Sequence, residues 1–157
     1  MYIPANEEEK AYLENYDPNK YAKPCVTVDL IVNIDGLGVL FVKRKNYPYK
    51  DHWALPGGFL DVGKENTMHA AIRELKEETN LDVNENQIKL VGVYSDPERD
   101  PRDHVVDIVY TVELDNSYVD KIKAGDDAKE TAFFTIHDLF NIDLAFDHAQ
   151  ILMDWIK

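Results

Sequence analysis

The sequence contains a single cysteine, Cys25, among 157 residues, so no disulfide can form within the chain. A reducing compartment, the cytoplasm, is the simplest expectation. Cys25 stands at the edge of an apolar run, where a thiol behaves as a small half-buried hydrophobe. No apolar stretch approaches the roughly 18 residues that a membrane-spanning helix needs. The opening MYIPANEEEK has neither a basic start nor an apolar centre, so it lacks the pattern of a secretory signal. Basic residues are few: 17 Lys and Arg face 30 Asp and Glu, a formal charge of −13. Such a chain repels nucleic acid and anionic lipid, and neither is expected as a partner. It would also repel a phosphorylated small molecule unless divalent cations neutralised the site. Charge alone fits equally well an acidic surface that only aids solubility. Repeats, low-complexity tracts and dividing linkers are absent, and the length suits one domain.

Residues 1–22 are polar and read as an N-terminal extension, with a short amphipathic helix around Ala5–Tyr16 and a turn at Asp17–Asn19. The domain proper is expected to span 23–157. Cys25–Asn33 reads as a strand in which Val26, Val28 and Leu30 alternate with Thr27 and Asp29. A turn at Asp35, Gly36 and Gly38 leads into Gly38–Arg44 as its hairpin partner. A polar and aromatic loop and the apolar piece Trp53-Ala54-Leu55 follow, and Pro56-Gly57-Gly58 is expected to break regular structure. The clearest helix comes next, with Met68, Ala71, Ile72, Leu75 and Thr79 on one face, Asn66 as N-cap and a left-handed Asn80 as its end. Strands are expected at Ile88–Ser95, His104–Leu114 and Glu130–Ile136, and a closing helix at Ala145–Lys157 capped by Asp147. The pattern implies a mixed α/β domain, a sheet between helices.

The central helix carries Arg73-Glu74-Leu75-Lys76-Glu77-Glu78. At about 100° per residue, Glu74, Glu77 and Glu78 share an arc of ~100° beside the buried face. Glu74 and Glu78 stand at i,i+4, where like charges repel. Arg73 can reach Glu77 one turn on, or fold back to Glu65 near the helix start. These residues alone fit a solvated acidic face as well as a site for a hard, oxygen-seeking cation.

Taken with what precedes it, GGFLDVGKENTMHAAIRELKEETNL (Gly57–Leu81) resembles the Nudix box. That pattern is a glycine, a glutamate, seven residues, Arg-Glu, an aliphatic residue, a variable one and Glu-Glu; Glu65, Arg73, Glu74, Leu75, Glu77, Glu78 and Leu81 match in register. Six residues instead of the usual five separate Gly58 from Glu65, and Asn80 stands where a glycine is usual. The resemblance implies the Nudix fold, a mixed sheet sandwiched between helices, and attack of water on a nucleoside diphosphate linked to another group. It implies Mg2+, with Mn2+ able to substitute. Glu74 and Glu78 would be the main ligands, Glu77 would serve a further ion or act through water, and a carbonyl of Gly57 or Gly58 would add to the set. Arg73 would hold Glu65 and Glu77 in place. The general base in such enzymes is a box glutamate or a late acid. Here Asp127 is favoured, six residues before the aromatic Phe133, although Asp126 and Asp127 also read as a plain polar turn.

Three further segments resemble the Nudix subgroup that hydrolyses ADP-ribose: Trp53–Phe59, Asp96–Arg102 and Leu144–Ala149. Arginine forks suit phosphate, so Arg44, Arg99 and Arg102 are candidates for the pyrophosphate or terminal ribose, and surface pairing with nearby acids is the alternative for the last two. Tyr47, Tyr49, Trp53 and Tyr94 are candidates to stack a base. His148 could polarise a ligand or simply belong to the first helical turn, and the other histidines lack zinc-ligand spacing. The expected reaction is ADP-ribose plus water giving AMP and ribose 5-phosphate. NADH, a nucleotide sugar, a dinucleoside polyphosphate or an oxidised nucleoside triphosphate are the alternative substrates, and an ADP-ribose sensor is the alternative function. Relatives of this kind are often homodimers, so a homodimer is an open expectation.

Overall fold

Strand β1 (Cys25–Ile34) organises the domain because both of its faces are covered. In the computed structural model, which describes residues 1–125 and 128–157, Val28, Leu30, Val32 and Ile34 point to one apolar cluster. Ile31, between them, points to the other. That alternation is the two-residue period of a strand. β1 pairs in parallel with β6 (Val105–Leu114) along its whole length. At its far end it pairs with β2 (Gly38–Arg44) through a tight turn. The sheet runs β3 (Trp53–Ala54), β2, β1, β6, β5 (Ile88–Tyr94). Two further strands pair off this path: β4 (Gly57–Phe59) with β1 and β7 (Ala128–Phe134) with β2.

Helix α1 (Glu7–Glu14) buries no side chain. Helix α2 (Thr67–Thr79) covers the first cluster with Ala70, Ala71, Leu75 and Thr79. Burying a leucine such as Leu75 contributes about 1.5–3 kcal/mol. Its ends are as the sequence predicts: Asn66 accepts from the His69 N–H, and Asn80 takes φ 65° and sends its N–H to Lys76. Helix α3 (His148–Trp155) covers the second cluster with Ile151 and Leu152.

Three expectations are corrected. Gly57–Phe59 is a strand, not a break, because Gly57 and Gly58 lack the side chains that would hold it off β1 and α2. The closing helix starts at His148 rather than Ala145, since Phe146 has φ 50° and Ala145 is stitched by its N–H to the Trp53 carbonyl (2.8 Å). Asp147 occupies the N-cap position without capping, as its carboxylate is engaged by Arg99. Among the described residues no helix is long and apolar enough to cross a membrane.

Candidate active site

A pocket of about 460 Å³ opens where the N-terminal half of β1, the end of β2, β4 and α2 meet. This volume suits a small-molecule ligand. Its acidic wall is built by β4 lying across α2. Gly57 sits so close to β1 that a Cβ would fall 2.0 Å from Asp29 Oδ1 and 2.1 Å from the Val28 carbonyl. The Gly57 N–H donates to Glu78 Oε2 (3.0 Å). A Cβ on Gly58 would lie 2.5 Å from Glu74 Oε1. Two bare backbone positions thus cradle the two carboxylates that the sequence singles out.

Arg73 holds this wall together, as expected. Its guanidinium grips Glu65 in fork geometry (Nε–Oε2 3.0 Å, Nη2–Oε1 2.6 Å) and donates to Glu74 (2.7 Å), Glu77 (3.2 Å) and the Phe59 carbonyl (3.1 Å). The Arg73 hydrogen bond drops the Glu65 carboxyl to about 2, well below its ordinary 4.5. Burial pushes Glu74 the other way, against the pull of Arg73, so its charged form is short of stabilisation. Glu77 is more than half exposed and does not line the pocket. Asp127 lies outside the described residues. Gly125 is docked by its N–H on the Glu78 carbonyl at the end of α2 (2.8 Å).

Among the described residues no three acidic or imidazole side chains converge as a ready-made ion cage. The donors present nonetheless fit a hard divalent cation. Magnesium is commonly held by one or two carboxylates together with substrate phosphates. Glu74 and Glu78 on one wall, with glycine backbone beside them, supply that kind of oxygen set.

Arg44 and Arg102 also line the pocket. Arg44 lies over the Phe146 ring (4.9 Å) and spends its Nε on the Pro48 carbonyl (2.8 Å). Among the described residues no hydrogen bond engages its two terminal nitrogens. Burial, then the nearby charge of Arg102, depresses its pKa. Arg102 stacks on Phe59 and Phe146 and is oriented by a fork to the buried Asp100 (3.0 and 2.7 Å). Tyr47 is exposed on the rim.

Two expected substrate residues are placed differently. Arg99 reaches the pocket's edge, but its side chain is 4% exposed and committed to Asp147 (2.9 and 2.6 Å) and Asp107 (3.2 Å). Trp53 is half-buried against Phe134, with Lys43 over its ring, and does not line the pocket. Of the other aromatic candidates, Tyr49 packs on Phe146 and Tyr94 bonds Asp154, both away from the lining.

Sequence reasoning missed the group beneath the pocket. Asp29, at its floor, is hydrogen-bonded to Asp107, and burial raises Asp29 to about 7. Asp107 is raised as well, by burial and by the nearby charge of Asp29. His148 Nε2 lies 3.2 Å from Asp29 Oδ2, and its Nδ1 accepts the Leu55 N–H (3.0 Å). A signal was available: each aspartate interrupts a largely apolar run, VTVDLIV and VVDIVY.

The sequence profile of the NUDIX domain matches residues 23–155. An ADP-ribose pyrophosphatase of Methanocaldococcus jannaschii is 45% identical over 137 residues, 87% of this chain and 76% of the relative. An ADP-ribose-responsive transcriptional repressor of Acinetobacter baylyi is 34% identical over 149 residues; they are 92% of this chain but only 58% of the repressor's length. Among solved structures, the NUDIX domain of Shewanella oneidensis NrtR complexed with ADP ribose superposes with a TM-score of 0.82 at 28% identity, covering 93% of this chain and 95% of that one.

Proposed function

The chain belongs to the NUDIX domain family, and from that premise we propose that it hydrolyses ADP-ribose, with magnesium, to AMP and ribose 5-phosphate. One observation carries this reading: Glu74, Glu78, Arg44 and Arg102 all line one pocket, so that cation ligands and anion ligands face the same space. A pyrophosphate is a substrate that needs both. The 45% identical ADP-ribose pyrophosphatase supports the choice of ADP-ribose.

Glu74 and Glu78 would hold the divalent ion, with a glycine carbonyl of β4 beside them. When bound, the ion polarises phosphoryl oxygens and lowers the pKa of water. Arg73 fixes the orientation of Glu74 and ties Glu65 and Glu77 to the same guanidinium. Arg44 and Arg102 donate to the pyrophosphate oxygens and offset the negative charge that grows on the leaving phosphate. Tyr47 and Phe59, exposed at the rim, offer faces for the base. Water adds to one phosphorus, the bridging P–O bond breaks, and the water's proton passes to an acidic side chain. Asp127, six residues before Phe133, is the proposed acceptor. The surplus of acidic over basic residues disfavours nucleic acid and anionic membranes as partners.

Turnover of ADP-ribose with and without millimolar magnesium, followed as AMP by chromatography, tests the proposal. NADH, diadenosine polyphosphates and nucleoside triphosphates form the comparison panel. Metal-dependent AMP release, fastest from ADP-ribose, is expected. Faster cleavage of another panel member would overturn the substrate, and tight ADP-ribose binding without cleavage would overturn hydrolysis in favour of a sensor.

A further inference from the structure

His148 lines the same pocket and makes no hydrogen bond to Glu74 or Glu78, yet it is tied to the segment that leads into β4. Its position is set from Arg99, whose fork to Asp147 holds the residue just ahead of α3. The Ala145 N–H to Trp53 carbonyl and the Trp53 N–H to Asp143 carbonyl (both 2.8 Å) fasten the same segment to β3. His148 is thereby delivered, fully buried, to the backbone one residue past the end of β3.

There the Leu55 N–H leaves the sheet ladder and needs an acceptor, and His148 Nδ1 supplies it at 3.0 Å. An amide can only donate, so Nδ1 carries no proton and the neutral ring bears its hydrogen on Nε2. Nε2 lies 3.2 Å from Asp29 Oδ2, a close approach rather than an aligned hydrogen bond. Asp29 Oδ1 is in turn the atom against which Gly57 rests. The imidazole therefore fixes the start of the Leu55–Gly58 segment at the Leu55 amide and packs against Asp29, the residue on which Gly57 rests. The segment's other side sets the carboxylates, by the Gly57 N–H to Glu78 and the bare Gly58 against Glu74.

We propose that His148 is a positioning residue whose hydrogen bond to the Leu55 amide sets the Glu74–Glu78 pair at the separation a divalent cation needs. Its kinetic arm rests on the hydrolase reading; its metal-binding arm does not.

The test compares His148→Asn, which keeps an acceptor where Nδ1 stood, with His148→Gln, which keeps a donor where Nε2 stood, and with His148→Ala. Mn2+ alone is titrated into each protein and free ion is followed by electron paramagnetic resonance. Thermal midpoints and ADP-ribose kinetics are measured alongside. The Asn variant is expected to bind Mn2+ within about twofold of the wild type, while Gln and Ala bind about tenfold more weakly, the low end of what lost support behind metal ligands costs. The metal requirement for half-maximal rate should shift with them and KM for ADP-ribose should not. Should the Ala variant fail to fold, Asn against Gln still decides. Equal Mn2+ affinity in all variants, or losses that track the thermal midpoint with no rescue by Asn, would overturn the proposal. A wild type that cleaves nothing but shows the Mn2+ pattern would sink the hydrolase reading and leave the positioning role standing.

Discussion

At the scale of single residues, the acidic wall is a problem of like charges solved by one guanidinium. Arg73 reaches Glu65, Glu74 and Glu77 together, which a lysine's point charge could not do with fork geometry. Glu78 is outside that grip and meets the Gly57 amide instead. Glu78→Gln is expected to lower kcat by about a hundredfold or more, the scale of losing one electrostatic contact to a transition state, with the thermal midpoint little changed. Full activity in a folded variant would remove Glu78 from the metal site. Glu65 makes a different prediction. Its folded pKa is depressed from 4.5 to about 2, so the folded state binds fewer protons than the unfolded chain in that window. Its contribution is present above 4.5 and is lost as pH falls toward 2. Glu65→Gln should therefore be less stable than the wild type at neutral pH, and urea midpoints of the two should converge between pH 4.5 and 2. A constant gap would mean that the Arg73 pair does not carry the shift.

At the scale of elements, β4 is three residues long and governs the site more than its length suggests. Its two glycines fail differently when filled. A side chain at Gly57 would run into the β1 backbone, which cannot yield locally, so Gly57→Ala should cost about 1–3 kcal/mol by overpacking, read as a lower urea midpoint. A side chain at Gly58 would meet the end of the Glu74 side chain, which can swing away. Gly58→Ala should therefore keep its midpoint and lose Mn2+ affinity and turnover. Equal loss of stability in both variants would show that β4 is held by its ladder alone. Helix α2 was legible in advance because period, caps and charge pattern agree. β4 was not, since Gly-Gly reads as a break unless a neighbouring strand is known to lie within hydrogen-bond reach.

At the scale of the molecule, the domain is a sheet with helices on both faces, and residues 1–24 contribute nothing to its interior. Deleting residues 1–22 is expected to leave the thermal midpoint within about 2 °C and kcat unchanged, as for a segment with no buried contacts. A marked drop in either would place the extension in the folding unit or in an assembly. The chain carries a charge of −13, yet Arg44 and Arg102 line its pocket. Acidity over the whole chain and anion capture at one site are therefore compatible.

The sequence by itself determined the box and its register, the limits of α2, the long strands β1, β2, β5 and β6 and the reach of Arg73 to Glu65 or Glu77, because each depends on spacing within a few turns or on residue chemistry alone. Tertiary structure decided what long-range approach decides. Arg99 and Arg102 stand three residues apart in one loop and look interchangeable, yet one is spent on Asp147 and the buried Asp107 while the other stacks on Phe59 and Phe146 in the pocket. Trp53 goes to the core and Phe146 to the arginines. Asp29 meets Asp107 and His148 from 78 and 119 positions away. No local pattern encodes such meetings: which buried charges find partners depends on strand order and helix docking, and a desolvated carboxyl without them would not be tolerated.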